Sequence, residues 1–148
     1  NPHDERGDIE WDPKAFERLY RRITGKVREN RKKISTVQKF HLDDANIALV
    51  AYGSEARPAL DAALMAREKG MKVGVLKLDV PWPFPEEEIS GLAAAMGAIV
   101  TVEMNLGKYA AEIERAACGR CRTARATKNL GEPHTPEEIL AVIEEVRA

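Results

Sequence analysis

Cysteine is scarce in this chain, with two in 148 residues, Cys118 and Cys121. A close pair of this kind excludes a disulfide framework and fits a reducing compartment, so a cytoplasmic location is expected. Long apolar runs are missing too. No stretch approaches the ~20 residues of a membrane-spanning helix, and the polar start shows no secretory leader. Aromatic residues make up 5% and neither sign of charge dominates, the formal net charge being −1. The molecule as a whole therefore carries no electrostatic demand for nucleic acid or membrane. Repeats and low-complexity segments are absent. The chain starts at Asn1 without an initiator methionine, which suggests a piece of a longer polypeptide. What is present is an ordinary soluble composition, 44% apolar and 32% charged, long enough for one α/β domain with its own core.

The centre of the chain reads as strand–helix–strand. Ile47 to Tyr52 is a continuous apolar run, the mark of a strand buried on both faces of a parallel sheet. Gly53-Ser54 breaks it. Ala59, Leu60, Ala63, Leu64 and Arg67 then recur at helical spacing, with an alanine-rich face suited to close packing on a sheet. Lys69-Gly70 reads as a helix stop. Met71 to Leu78 is the second strand, parallel to the first through a right-handed crossover. Two helix starts compete: Ser54 as cap, or Arg57 as cap with Pro58 in the first helical position.

Upstream, residues 1–11 form a polar connecting segment. Asp12-Pro13 predicts a helix start, and Phe16, Leu19, Tyr20, Ile23 and Val27 mark one apolar stripe on a helix reaching about Lys33. Ten basic residues stand against two acidic ones between Lys14 and Lys39. Such a helix either binds nucleic acid or packs its stripe on protein with its charges in solvent. Neutral net charge and little aromatic interleaving favour protein. Ser35 to His41 reads as a frayed helix end or a short strand, with His41 a loop histidine.

Downstream, Pro81-Trp82-Pro83-Phe84-Pro85 is a rigid aromatic connection. Glu86 to Glu88 open a helix, where the macrodipole favours anions; Ile89, Leu92 and Met96 form its stripe and Gly97 ends it. Ala98 to Met104 is a third central strand, Leu106 to Ala117 a helix weakened at its start by Gly107, and Arg122 to Lys128 a poorly apolar edge strand. Asn129 to His134 is a loop. Thr135-Pro136-Glu137-Glu138 is a capping box opening a helix that faces the core with Ile139, Val142, Ile143 and Val146.

No complete active site assembles from these residues. Tyr52-Gly53-Ser54 has one glycine where a dinucleotide fingerprint needs three. The Ser54 loop is left as a structural turn or a small-anion site at a helix N-terminus, and Ser54 lacks the elbow of a serine nucleophile. Cys118-Gly119-Arg120-Cys121 has redox or metal spacing. It straddles a helix end, however, and lacks the further ligands zinc requires, His134 being the one plausible third. Glu103 and His134 both follow strands and form a candidate acid–base pair at one sheet edge. In a parallel sheet the loops after the strands collect on one side. That gathers Tyr52, Gly53, Ser54, Trp82, Phe84, Glu103, Asn105 and His134 as interface candidates, with Trp82 read either as an anchor for a partner or as a cap on its own core.

Three ordered segments resemble one family: Val50-Ala51-Tyr52-Gly53-Ser54 with Ala56-Arg57; Trp82-Pro83-Phe84-Pro85 through Val102-Glu103-Met104-Asn105-Leu106-Gly107; and Gly131-Glu132-Pro133-His134-Thr135-Pro136-Glu137-Glu138-Ile139. With the leader His3-Asp4-Glu5-Arg6-Gly7 they are similar to the C-terminal region of the α subunit of 2-oxoacid:ferredoxin oxidoreductases, most closely the 2-oxoglutarate type. The resemblance implies a transketolase C-terminal-like fold of three α/β/α layers. Its five-stranded, mostly parallel sheet would carry one antiparallel edge strand, for which Thr36 to His41 is the candidate. Residues 1–40 would be a connecting segment and long basic helix, and residues 41–148 the α/β domain. The resemblance also implies a parent reaction, oxidative decarboxylation of a 2-oxoacid to acyl-CoA and CO2 with ferredoxin as electron acceptor. The thiamine diphosphate, magnesium and iron–sulfur clusters it uses lie in other domains or subunits, including the thiamine pyrimidine-binding domain of the same subunit. No catalytic, cofactor or metal residue then falls on this chain, which would be a non-catalytic assembly domain. Lys108 stands where glutamine is expected, and the cysteine pair matches no family motif. The alternatives are an autonomous α/β module binding a small anion at the Ser54 loop, or the equivalent domain of another thiamine-dependent enzyme.

Overall fold

The structure, a computed structural model, describes residues 3–4, 6–129 and 131–147. Glu5 of the leader and Leu130 of the loop from Asn129 to His134 lie outside the described residues. The contacts divide the chain into two units, Asn1–Ile34 and Ser35–Ala148. The division falls before the 40/41 boundary expected from sequence because the segment after Ser35 pairs into the sheet.

The first unit holds α1 (Pro13–Glu29) and α2 (Arg31–Ile34). Asp12 caps α1, its carboxylate accepting from the backbone N–H groups of Lys14 at 3.2 Å and Ala15 at 3.1 Å. Asn30 ends the helix short of the expected Lys33. No residue of α1 is buried, and Tyr20 and Ile23 are each 51% exposed. Phe16, Leu19 and Val27 of the same stripe are half-buried.

The second unit runs β1 (Val37–Phe40), β2 (Ile47–Tyr52), α3 (Ala56–Glu68), β3 (Val73–Leu78), α4 (Glu86–Ala95), β4 (Ala98–Glu103), α5 (Lys108–Ala117), β5 (Arg122–Thr127) and α6 (Pro136–Arg147). The sheet order is β1-β3-β2-β4-β5, parallel throughout except that β1 runs antiparallel to β3. Helices α3 and α6 cover one face over Leu49, Val75 and Val100, and α4 and α5 cover the other over Val50, Leu76 and Ile99. This is the three-layer, five-stranded arrangement the sequence implies. The antiparallel edge strand is β1. Burial on both faces explains why β2 and β4 read as unbroken apolar runs.

Two local expectations fail for identifiable reasons. Neither Ser54 nor Arg57 caps α3. A 3-10 turn at Gly53–Glu55, entered with Gly53 at φ +58°, runs straight into the helix, and no side chain caps it. Pro58 falls in the first turn, where its missing N–H has no intrahelical partner to lose. The buried face of α3 is Ala56, Ala59, Ala62, Ala63 and Ala66, while Leu64 is 48% exposed; close approach to the sheet and α6 takes methyl groups and turns the leucine outward. In α6 Leu140 is buried with Ile139, Ile143 and Val146, and Val142 is half-buried. The expected capping box is present, Thr135 Oγ1 accepting from the Glu138 N–H at 3.3 Å and Glu138 accepting from the Thr135 N–H at 2.8 Å.

Candidate functional site

The four parallel strands deliver their following loops to one edge of the sheet. Two buried carboxylates organise that edge, and they do different things.

Glu103 ends β4 with 0% exposure. Its Oε1 accepts from the N–H of Ala110 at 2.9 Å, and its Oε2 from the N–H of Tyr109 at 3.0 Å, the Asn105 amide at 2.6 Å and the Tyr52 hydroxyl at 3.1 Å. A carboxylate on the first-turn N–H groups of α5 satisfies donors the helix leaves open and complements its dipole. Asn105 Oδ1 accepts from the N–H groups of Gly107 at 2.9 Å and Lys108 at 2.8 Å, and Gly107 sits at φ +93°. The helix consequently starts at Lys108, and Leu106, expected within it, is 79% exposed instead. Tyr109 ties this loop to the one after β3. Its hydroxyl donates to the Pro81 carbonyl at 2.9 Å, and its ring lies 5.1 Å from that of Tyr52 and 5.3 Å from that of Phe84.

Burial first, and then the Glu103 charge, push the Tyr52 phenol up to about 12 from its ordinary 10.0. Tyr109 is raised as well, again chiefly by burial. A phenol whose pKa is higher folded than unfolded contributes stability that is whole below pH 10 and lost as pH rises towards 12. We expect unfolding free energy to fall across that interval and Tyr52→Phe to flatten the fall. An identical alkaline slope in wild type and variant, followed by denaturant melts, would refute this.

The second carboxylate is Glu55, 2% exposed, and its partner is His134, 8% exposed. The His134 ring nitrogen Nδ1 lies 2.8 Å from Glu55 Oε2, and the His134 backbone N–H donates to the same oxygen at 3.4 Å. Glu55 Oε1 is buried without a partner among the described residues. This pair ties the turn after β2 to the loop before α6.

The expected Glu103–His134 acid–base pair does not form. Each residue is committed elsewhere, Glu103 to the α5 N-terminus and His134 to Glu55, which sequence reasoning passed over. The one local signal for Glu55 was a carboxylate beside an alanine-rich helix start. An anion at the Ser54 loop is also disfavoured: Gly53 and Ser54 are exposed, but the buried Glu55 carboxylate stands next to them. Trp82 is 69% exposed and so does not cap this domain's core, whereas Phe84 is half-buried and packs on it. Met104 and Leu106, also missed from sequence, add exposed apolar surface to the same edge.

Residues 45–139 match the family model of pyruvate:ferredoxin oxidoreductase core domain II. The chain belongs to this family. Among curated relatives of this domain II, the 2-oxoglutarate synthase subunit KorA of Methanothermobacter thermautotrophicus is 41% identical over 142 residues, 95% of this chain and 38% of the relative. The subunit of the same name from Archaeoglobus fulgidus is 31% identical over 142 residues, 96% of this chain and 39% of the relative. The chain thus spans under two fifths of these relatives' length. Of solved structures, a 2-oxoglutarate:ferredoxin oxidoreductase from Magnetococcus marinus superposes with TM-score 0.78 at 20% identity, covering 99% of this chain and 26% of that one. A split-gene transketolase superposes with TM-score 0.61 at 22% identity, covering 74% and 41%. These two likenesses show the shared fold.

Among the described residues no group of three or more His, Cys, Asp and Glu side chains could hold a metal ion. Cys118 and Cys121 are free thiols, half the thiolate set of an iron–sulfur cluster. Both oxygens of Glu103 are occupied by the chain's own donors. No helix among the described residues is long and apolar enough to cross a membrane.

Proposed function

We propose that this chain is a non-catalytic assembly domain in the α subunit of a 2-oxoglutarate:ferredoxin oxidoreductase, located in the cytoplasm. The observation that carries this reading is the 41% identity to a 2-oxoglutarate synthase subunit across 95% of the chain. The geometry supports it, because both buried carboxylates at the sheet edge serve the fold. The parent enzyme would convert a 2-oxoacid and CoA to acyl-CoA and CO2 and reduce ferredoxin. Its thiamine diphosphate, magnesium and iron–sulfur clusters would be held by the thiamine pyrimidine-binding domain and other subunits. When bound there, the thiamine group supplies the carbanion-stabilising chemistry of decarboxylation; this chain's contribution is to position and join. The test is the purified multi-subunit enzyme, assayed for CoA-dependent dye reduction. Turnover with 2-oxoglutarate in preference to pyruvate or 2-oxoisovalerate is expected. Preference for another 2-oxoacid would overturn the substrate, and absence of all 2-oxoacid turnover would overturn the reading. The chain by itself should show no thiamine diphosphate binding in a calorimetric titration, and micromolar binding would contradict its assembly role.

The sheet edge is the surface we assign to assembly. Trp82, Gly53 and Ser54 reach solvent, Tyr52 and Asn105 hydrogen-bond the buried Glu103, and the Phe84 ring lies beside that of Tyr109. A tryptophan held between prolines loses little entropy on docking, and interface anchors of this kind are worth roughly 2 kcal/mol or more. Trp82→Ala should therefore weaken assembly of the oxidoreductase by about tenfold or more while leaving the domain's melting temperature nearly unchanged. A drop of several degrees with normal assembly would return Trp82 to the core.

A further inference from the structure

β5 closes one side of the sheet, and β4 is its strand partner. The N–H of Arg122 donates to the Gly97 carbonyl at 3.1 Å, and that of Lys128 to the Glu103 carbonyl at 3.2 Å. Backbone polar groups alternate sides along a strand, so Arg122, Ala124, Ala126 and Lys128 address β4. Thr123, Arg125 and Thr127 turn their N–H and C=O groups outward. Among the described residues these three have no backbone partner on that side.

Natural sheet edges are blunted by short length, proline, bulges or charge. The opposite edge, β1, has four residues, and its Lys39 pairs with Glu88 of α4 at 3.0 Å. β5 has six residues, no proline and two threonines of good strand propensity. Its outward arginine is drawn aside to Glu114 of α5 at 2.6 Å. A cavity of about 390 Å³ lies beside the strand, lined by residues 125–128 with His134, Glu138 and Val142. It leaves room for side chains arriving alongside.

We propose that the free edge of β5 receives an extended, carboxylate-bearing segment of a partner polypeptide as a sixth strand. The charge points to that occupant. From Arg115 to Gly131 the sequence carries five basic residues and no acidic one; Arg115, Arg125 and Lys128 are paired with Glu86, Glu114 and Glu138, and the Arg122 side chain is left unpaired among the described residues. A second copy fits poorly, because the two-fold register pairing all three outward residues sets Arg125 opposite Arg125, and like charges directly opposed are destabilising. The proposal rests on the assembly-domain reading above for its partner, another region of the same oxidoreductase.

Residue-resolved amide exchange in the intact oxidoreductase tests it. The Thr123, Arg125 and Thr127 amides should exchange ~100-fold or more below the rate of exposed amides. Exchange near the exposed rate in an enzyme that turns over 2-oxoglutarate would overturn the edge proposal and leave the functional reading intact. Protected amides in a complex without 2-oxoacid turnover would overturn the functional reading instead. Thr123→Pro removes an outward donor while keeping the ladder to β4, and Arg122→Glu reverses the charge without touching the backbone. Each should weaken assembly about tenfold. Unchanged assembly with Arg122→Glu, or photo-crosslinks from position 127 joining two copies of this chain, would overturn the proposed occupant.

Discussion

Replacing Glu103 with alanine is expected to remove roughly 3–6 kcal/mol of folding stability, since each buried group left unpaired costs about 1–3 kcal/mol. The substitution strips the acceptor from the Tyr109 and Ala110 N–H groups, the Asn105 amide and the Tyr52 hydroxyl at once. Domains of this size hold only about 5–15 kcal/mol in total, so the variant should melt far earlier or fail to accumulate. Glu103→Gln is the informative companion. It keeps one oxygen acceptor but turns an NH2 group toward donors, and it should cost about 2 kcal/mol. Urea melts with an unchanged m-value would read both. A loss below about 1 kcal/mol for the alanine variant would mean that the α5 N-terminus finds other acceptors.

The Glu55–His134 pair should show a different signature. His134→Ala leaves a carboxylate at 2% exposure with neither oxygen bound by a side chain. Removing one member of such a buried pair costs about 3–5 kcal/mol, whereas replacing both with apolar residues of similar volume is often neutral. The double variant Glu55→Leu, His134→Leu should accordingly recover to within about 1 kcal/mol of the parent chain. A double variant as unstable as the single one would show that the pair's polarity, and not its packing, holds the turn after β2 to the loop before α6.

Much of the fold is legible in the residues, because burial on both faces writes continuous apolar runs at Ile47–Tyr52 and Ala98–Glu103. β1 is harder to read. An edge strand of pattern Val-Gln-Lys-Phe is half-covered and carries little periodic signal. The start of α3 was missed because no side chain caps it, and capping residues are what sequence reveals. At the site, position was legible and partnership was not. Glu103 and His134 do lie at the same sheet edge, but Glu55 and His134 are 79 residues apart and meet only through the strand order β2-β4-β5. Glu103's task required knowing that Gly107 turns left-handed and begins α5 at Lys108, which aims the helix N–H groups at the strand end.

The central claim is that this edge joins and supports and does not perform acid–base chemistry. The most direct measurement is kcat of the assembled oxidoreductase carrying His134→Gln, with 2-oxoglutarate and CoA saturating and rates normalised to intact complex. A value within about twofold of the parent enzyme is expected, because His134 Nδ1 is committed to the Glu55 carboxylate. A fall of ~100-fold or more in correctly assembled enzyme, the range lost with a general acid or base, would contradict it.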